Sequence, residues 1–140
     1  MTLFMLDTNT VSYLIHKRSA RVQEQMDALP PEDRICISVI TEAELRYGVA
    51  LKKEAVKLAR SVALILSNLQ VRPWTSEAAK AYAELRAENR SLGLAAGDFD
   101  LLISAHAIAE NAVLVTSDGA IAKLAGGLVT VNWADDLQQN

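Results

Sequence analysis

Leu3-Phe4-Met5-Leu6-Asp7 is the stretch on which the fold turns. Four apolar residues in a row, closed by an acid, read as a short strand buried on both faces. Such strands occur in parallel sheets covered by helices on either side. The closing carboxylate is the unusual part. An acid at the end of a buried strand is costly unless something binds it. Thr8-Asn9-Thr10 follows with capping side chains, and Val11, Leu14 and Ile15 continue at helical spacing, predicting a first helix to about Lys17.

Working outward, the same alternation repeats. Ser19 caps a second helix bearing Val22, Met26 and Leu29, which Pro30-Pro31 stops. Arg34 to Ser38 reads as a second strand. Ser38 and Thr41 then open a helix carrying Leu45, Val49 and Leu51, and a longer helix spans about Lys53 to Ser67. Leu69 to Arg72 is a short strand stopped by Pro73. Thr75 starts a helix running to Gly93, and Gly97-Asp98 opens another with Phe99, Leu102, Ile103, Ala107 and Ile108. Ala112 to Thr116 is a buried strand, Ser117-Asp118 caps a short helix, and Leu128 to Val131 is the last strand. The order β-α-α-β-α-α-β-α-α-β-α-β predicts an α/β fold with a largely parallel sheet.

Composition agrees. The chain has 140 residues, 51% hydrophobic and 22% charged, which excludes disordered and fibrous classes and predicts one domain over 1–140. Cys36 is the one cysteine, so neither an intrachain disulfide nor a thiolate cluster is possible, in keeping with a reducing compartment. No basic n-region precedes the first apolar run, and no run reaches the roughly 18 apolar residues of a membrane span. A cytoplasmic protein is expected. The charge balance is 14 Lys+Arg against 17 Asp+Glu, net −3, so the chain is no generic polyanion binder. Contact with nucleic acid would need a local basic surface, a metal ion or a partner.

Four acids fall at the carboxyl ends of the predicted strands, where open parallel sheets carry their sites. They are Asp7, Glu44, Asp100 and Asp118. Asp100 reaches that edge if its helix runs antiparallel to the strand it precedes. Each has an ordinary structural use. Glu44 completes Thr41-x-x-Glu44, a capping-box pattern. Asp98 and Asp100 suit a helix N-terminus, and Asp118 suits an N-cap. Convergence is the stronger argument. Carboxylates roughly 5 Å apart repel by about 3 kcal/mol per pair at an effective dielectric of 20. Such a group either raises its pKa values or surrounds a hard dication. All-oxygen donors point to Mg²⁺ or Mn²⁺ rather than Zn²⁺, and to hydrolysis of a phosphodiester by metal-bound water.

Four segments resemble the PIN-domain ribonucleases, and specifically the VapC toxins of VapBC toxin–antitoxin modules. They are Phe4-Met5-Leu6-Asp7-Thr8-Asn9, Ile37 through Gly48 with Glu44-Leu45-Arg46-Tyr47-Gly48, Asp98 through Ala107, and Leu114-Val115-Thr116-Ser117-Asp118. Val131-Asn132-Trp133 is similar to the family's closing strand. The resemblance implies a three-layer α/β/α sandwich and a Mg²⁺- or Mn²⁺-dependent endoribonuclease acting on structured RNA such as tRNA. It also implies a VapB-type antitoxin partner and a homodimer. It places the family's acids on Asp7, on Glu44 rather than Glu42, on Asp100 rather than Asp98, and on Asp118. Thr8, Asn9 and Thr116 then stand beside the metal site as supports, although capping and strand-end packing are their ordinary uses.

Other residues have plainer readings. His106 falls on the side of its helix away from Asp100, a core or surface histidine, and His16 is solvated. Arg46, Arg86 and Arg90 are solvated or paired with neighbours such as Glu42 or Glu88, with phosphate contact as the alternative. Trp74 and Trp133 pack. Val11, Leu14, Ile15, Val49, Leu51 and Val56 have two readings: ordinary core packing, or apolar faces of which some exceed what one core needs, where the resemblance assigns a groove to the antitoxin. Two competing functions stay open at this point. One is a haloacid-dehalogenase-like phosphatase with Asp7 as nucleophile, against which Asn9 stands where that chemistry wants a second acid. The other is an inactive PIN-like binding module.

Overall fold

A computed structural model of the chain describes residues 1–134. The expected domain over 1–140 therefore extends past the described residues. The elements come in the predicted order: β1 (Leu3–Leu6), α1 (Thr8–Ile15), α2 (Ala20–Asp27), β2 (Arg34–Ser38), α3 (Val39–Leu51), α4 (Val56–Asn68), β3 (Gln70–Arg72), α5 (Ser76–Ser91), α6 (Asp98–Ala109), β4 (Val113–Val115), α7 (Gly119–Ala122) and β5 (Thr130–Val131). All strand pairs are parallel, in the spatial order β3-β2-β1-β4-β5.

Register divides the strands between two cores. Met5 lies opposite Cys36 and Leu114, and Leu6 opposite Ile37 and Val115. Met5, Cys36 and Leu114 pack with Leu85, Leu101, Ile103 and Ile121 of α5, α6 and α7. Leu6, Ile37 and Val115 pack with Val11, Val22, Leu45 and Val62 of α1 to α4. Alternate residues of each strand thus face opposite helical layers, and both layers are apolar. That is why the strands read as continuous runs, and it makes the fold a three-layer α/β/α sandwich. Fully buried residues such as Leu114 each hold about 2–5 kcal/mol against truncation to Ala.

Caps fix most helix starts. Ser19 accepts from Val22 N, Ser38 from Ile40 N and Thr75 from Ala78 N. Several boundaries differ from the sequence reading, three of them for a visible reason. The helix α1 stops at Ile15 because the chain turns through Lys17 in the left-handed region. Residues 52–54 form a turn, so α4 begins at Val56, behind Ala55, which supplies no side-chain cap. The edge strand β5 is two residues long and starts three residues after Gly127, which with Gly126 has positive φ.

The strand order reverses at β1. Chain progress runs outward through β2 and β3 on one side and through β4 and β5 on the other. The carboxyl ends of β1 and β4 therefore border a topological switch point, where helices on neighbouring strands diverge and leave a crevice.

Candidate active site

Asp7 follows β1 directly and is only 2% exposed. It is itself the N-cap of α1, with Oδ1 accepting from Thr10 N at 2.8 Å. Thr8 and Asn9 are thus inside the helix rather than capping it. Burial pushes the Asp7 carboxyl above its usual range. Hydrogen bonds from the Thr116 hydroxyl and from Thr10 pull it back, and the Asp118 charge pushes it up further.

Asp118 faces Asp7 across the switch point. Its Oδ1 accepts from Ala120 N at 2.8 Å and Ile121 N at 3.4 Å, so it caps α7, as its structural reading predicts. Its backbone N–H donates to Thr116 Oγ1 at 3.1 Å. The buried Thr116 hydroxyl therefore bridges the two acids that end β1 and β4.

Glu44 does not serve a capping box. The N-cap of α3 is Ser38, which leaves Thr41 and Glu44 within the helix. Thr8 instead donates to Glu44 Oε1 at 2.5 Å and lies 3.2 Å from Thr41 Oγ1. Glu42, by contrast, is paired with Arg46 at 2.7 Å. The same division holds on α6. Asp98 is exposed and pairs with Arg86 at 3.2 Å, whereas Asp100 is half-buried. Gly97 precedes this helix without a Cβ, and one placed there would lie 3.1 Å from Asp100 Oδ2.

Asp100 ties the group together. Its pKa rises from 3.8 to about 6, first through burial and then through the negative charges of Asp118, Asp7 and Glu44, in that order. Four carboxylates from β1, α3, α6 and the β4–α7 turn thus share one electrostatic field. They do not collapse onto a point. Among the described residues, no three acidic, imidazole or thiolate side chains are arranged as they stand to hold a metal ion. The local bonds explain the spacing. Asp7 and Asp118 are held by backbone N–H groups and Glu44 by Thr8.

The remaining expectations sort cleanly. Asn9 is exposed in the first turn of α1, and His16 is exposed. Arg46 pairs with Glu42 as expected, while Arg86 pairs with Asp98 rather than Glu88. Trp133 packs on Phe4 with ring centroids 5.1 Å apart, and Trp74 packs edge-on to His106 at 5.5 Å. Cys36 is buried, which lifts its thiol to about 11 and keeps it from thiolate chemistry.

One constellation escapes the sequence. His106 is fully buried, and its Nδ1 lies 2.7 Å from Ser38 Oγ. Burial holds the imidazole below its usual pKa, so it is neutral at pH 7. The pair joins α6, which carries Asp100, to the start of α3, which carries Glu44. A separation of 68 residues leaves no local signal for it.

With this geometry in view, the comparisons are direct. The PIN domain family matches residues 4–127, and the chain belongs to that family. Its relatives are the VapC-type ribonuclease toxins of VapBC toxin–antitoxin systems. It is 37% identical over 131 residues to Ribonuclease VapC2 of Rickettsia felis, covering 94% of this chain and 98% of the relative. It is 30% identical over 134 residues to the tRNA(fMet)-specific endonuclease VapC of Shigella flexneri, covering 96% and 100%. The fold superposes on the crystal structure of VapBC2 from Rickettsia felis bound to a DNA fragment from their promoter, with TM-score 0.87 and 35% identity over 94% of this chain and 99% of that one. PIN-family membership takes the place of the phosphatase alternative. Among the described residues, no helix is long and apolar enough to cross a membrane.

Proposed function

We propose that this chain is a divalent-cation-dependent endoribonuclease whose metal is held by Asp7, Glu44, Asp100 and Asp118, directly or through water. The observation that carries the reading is the coupling of Asp100 to the other three acids at the switch point. A cluster that costs free energy when ionised is tolerable if a dication of matching size balances it. The donor set is all oxygen, which suits Mg²⁺ or Mn²⁺. Bound there, the ion supplies a water of lowered pKa and a clamp on a phosphate oxygen.

The chain's own residues supply the frame. Thr116 holds the Asp7 and Asp118 turns at a fixed separation. Thr8 fixes one oxygen of Glu44 and leaves the other free to accept from water or a ligand. One of the four carboxylates would also serve as the base that takes a proton from water. The net charge of −3 brings no general attraction for RNA, so a local basic surface, a partner or the dication must offset the acids.

The substrate we infer is structured RNA such as tRNA, in keeping with the name of the Shigella relative. The partner we infer is a VapB-type antitoxin, and the chain acts as a homodimer. A groove between α1, α3 and α4 suits an antitoxin segment. Ile15, Leu45, Leu51 and Leu58 are among the apolar residues that line it, together with Thr8 and Glu44. Val11, assigned to that surface from the sequence, is instead fully buried core.

The test is incubation of the purified chain with total RNA, with and without EDTA, beside Asp7→Ala. Cleavage that EDTA and the substitution both abolish, with the variant still folded, is the expected result. An active Asp7→Ala protein would refute the assignment.

A further inference from the structure

Eight large apolar side chains are strongly exposed among the described residues, and two of them are aromatic: Tyr47, 65% exposed, and Phe99, 55% exposed. These two line one cleft of about 430 Å³ with Ala43 and Glu44. The cleft's volume falls within the range of small-ligand sites. Tyr47 and Ala43 lie four residues apart on one face of α3, with the acid Glu44 beside Ala43. Phe99 comes from the first turn of α6, immediately before Asp100. The cleft is therefore an extension of the acidic site, with one aromatic wall from each helix that carries an acid.

We propose that this cleft is a nucleobase subsite, in which one unpaired base beside the scissile phosphate stacks on Tyr47 and Phe99. The proposal rests on the ribonuclease reading and adds a substrate requirement to it. Several features favour a base over an apolar protein segment. The aliphatic exposed residues lie elsewhere, while the two rings stand together at the acids. Glu44 also forms part of the lining, which joins the cleft to the acids and disfavours a purely apolar side chain. Stacking on aromatic faces is also the usual way a protein holds single-stranded RNA, because every base offers a π-face. A base paired within a duplex cannot enter such a cleft. The enzyme should therefore cut where a nucleotide is unpaired, and tolerate several bases there. Ala43 supplies the small residue between the walls, and a bulkier side chain at 43 would fill the space.

The test uses the full-length chain with RNA oligonucleotides in which 2-aminopurine is stepped along the strand. Binding is followed with Ca²⁺ as the dication, and cleavage with Mn²⁺. The wild type and Tyr47→Phe should quench one label position. Tyr47→Ala and Phe99→Ala should lose that quenching and about 10-fold or more in affinity. In cleavage the same two variants should show a raised KM with kcat nearly unchanged. Their melting temperatures should match the wild type, because both side chains are exposed. No quenching with the wild type, or unchanged quenching and KM in the alanine variants, overturns the subsite even if RNA is still cut. Equal cleavage of a perfect duplex also overturns it. Quenching without any cleavage would sink the nuclease reading and leave the subsite standing. If the alanine variants sediment as monomers from a dimeric wild type and keep its KM, the face is a contact between copies and the proposal fails.

Discussion

Replacing Asp100 by Asn should make the metal-free protein more stable at neutral pH. Asp100 has a folded pKa of about 6 against an ordinary 3.8, chiefly from burial and then from three neighbouring carboxylates. The sign follows from linkage. Folding favours the protonated form, so this group's stabilising contribution is complete below about pH 4 and is lost as pH rises through 6. At pH 7 the ionised side chain is a net cost. The full shift corresponds to about 3 kcal/mol, and discounting for the solvent-facing half leaves about 1–2 kcal/mol. A first-turn acid also gains about 0.3–1 kcal/mol from the helix dipole, which the substitution forfeits, but the combined cost of burial and repulsion is the larger quantity and leaves a net of about 1 kcal/mol. In EDTA, Asp100→Asn should thus melt about 3 °C above wild type at pH 7. The gain should shrink toward zero by pH 4. Added Mn²⁺ should reverse the order, raising the wild-type melting temperature and scarcely moving the variant. Calorimetry across pH 4–8, with and without Mn²⁺, reads all three. A variant that is no more stable at pH 7, or whose gain does not depend on pH, would refute the electrostatic reasoning.

Four other substitutions test separate parts of the structure. Glu44→Gln should reduce RNA cleavage by 100-fold or more, on the order of what a catalytic carboxylate contributes, whereas Glu42→Gln should change it by less than about 3-fold; the reverse result means that the wrong face of α3 carries the site. Gly97→Ala brings a methyl to 3.1 Å from Asp100 Oδ2 and should weaken Mn²⁺ binding several-fold by calorimetric titration, with stability changed by less than about 1 kcal/mol. Asn89 is buried and donates to Leu85 O at 2.8 Å and Ala125 O at 2.9 Å while accepting from Ala125 N at 2.8 Å. Asn89→Leu leaves those groups of residue 125 unpaired and should cost about 2–4 kcal/mol in urea denaturation.

The order of elements was legible because β1, β2 and β4 hold apolar runs closed by a polar residue, as in Leu6-Asp7 and Ile37-Ser38. Caps such as Ser19 and Thr75 marked helix starts in the same way. The four acids were legible as residues at strand ends, but their environments were not. The pattern Thr41-x-x-Glu44 is a sound capping box taken locally. Ser38 took the cap because β2 ends there, and Thr8, 36 positions away, became the partner of Glu44. Likewise Asp98 and Asp100 are equivalent as first-turn acids, and only the packing of α6 turns one outward to Arg86 and the other toward the site. Asn89, flanked by Glu88 and Arg90, reads as surface, yet it clamps the turn after α7. In each case the deciding contact spans dozens of residues, which local propensity does not encode.

The most direct measurement is the anomalous scattering of Mn²⁺ in crystals of the protein. One strong peak at the carboxyl ends of β1 and β4, within about 2.5 Å of an oxygen of Asp7 or Asp100 or of a water they hold, is the expected result. An ion bound only at some other surface, with these side chains unmoved and RNA still cut, would contradict the account.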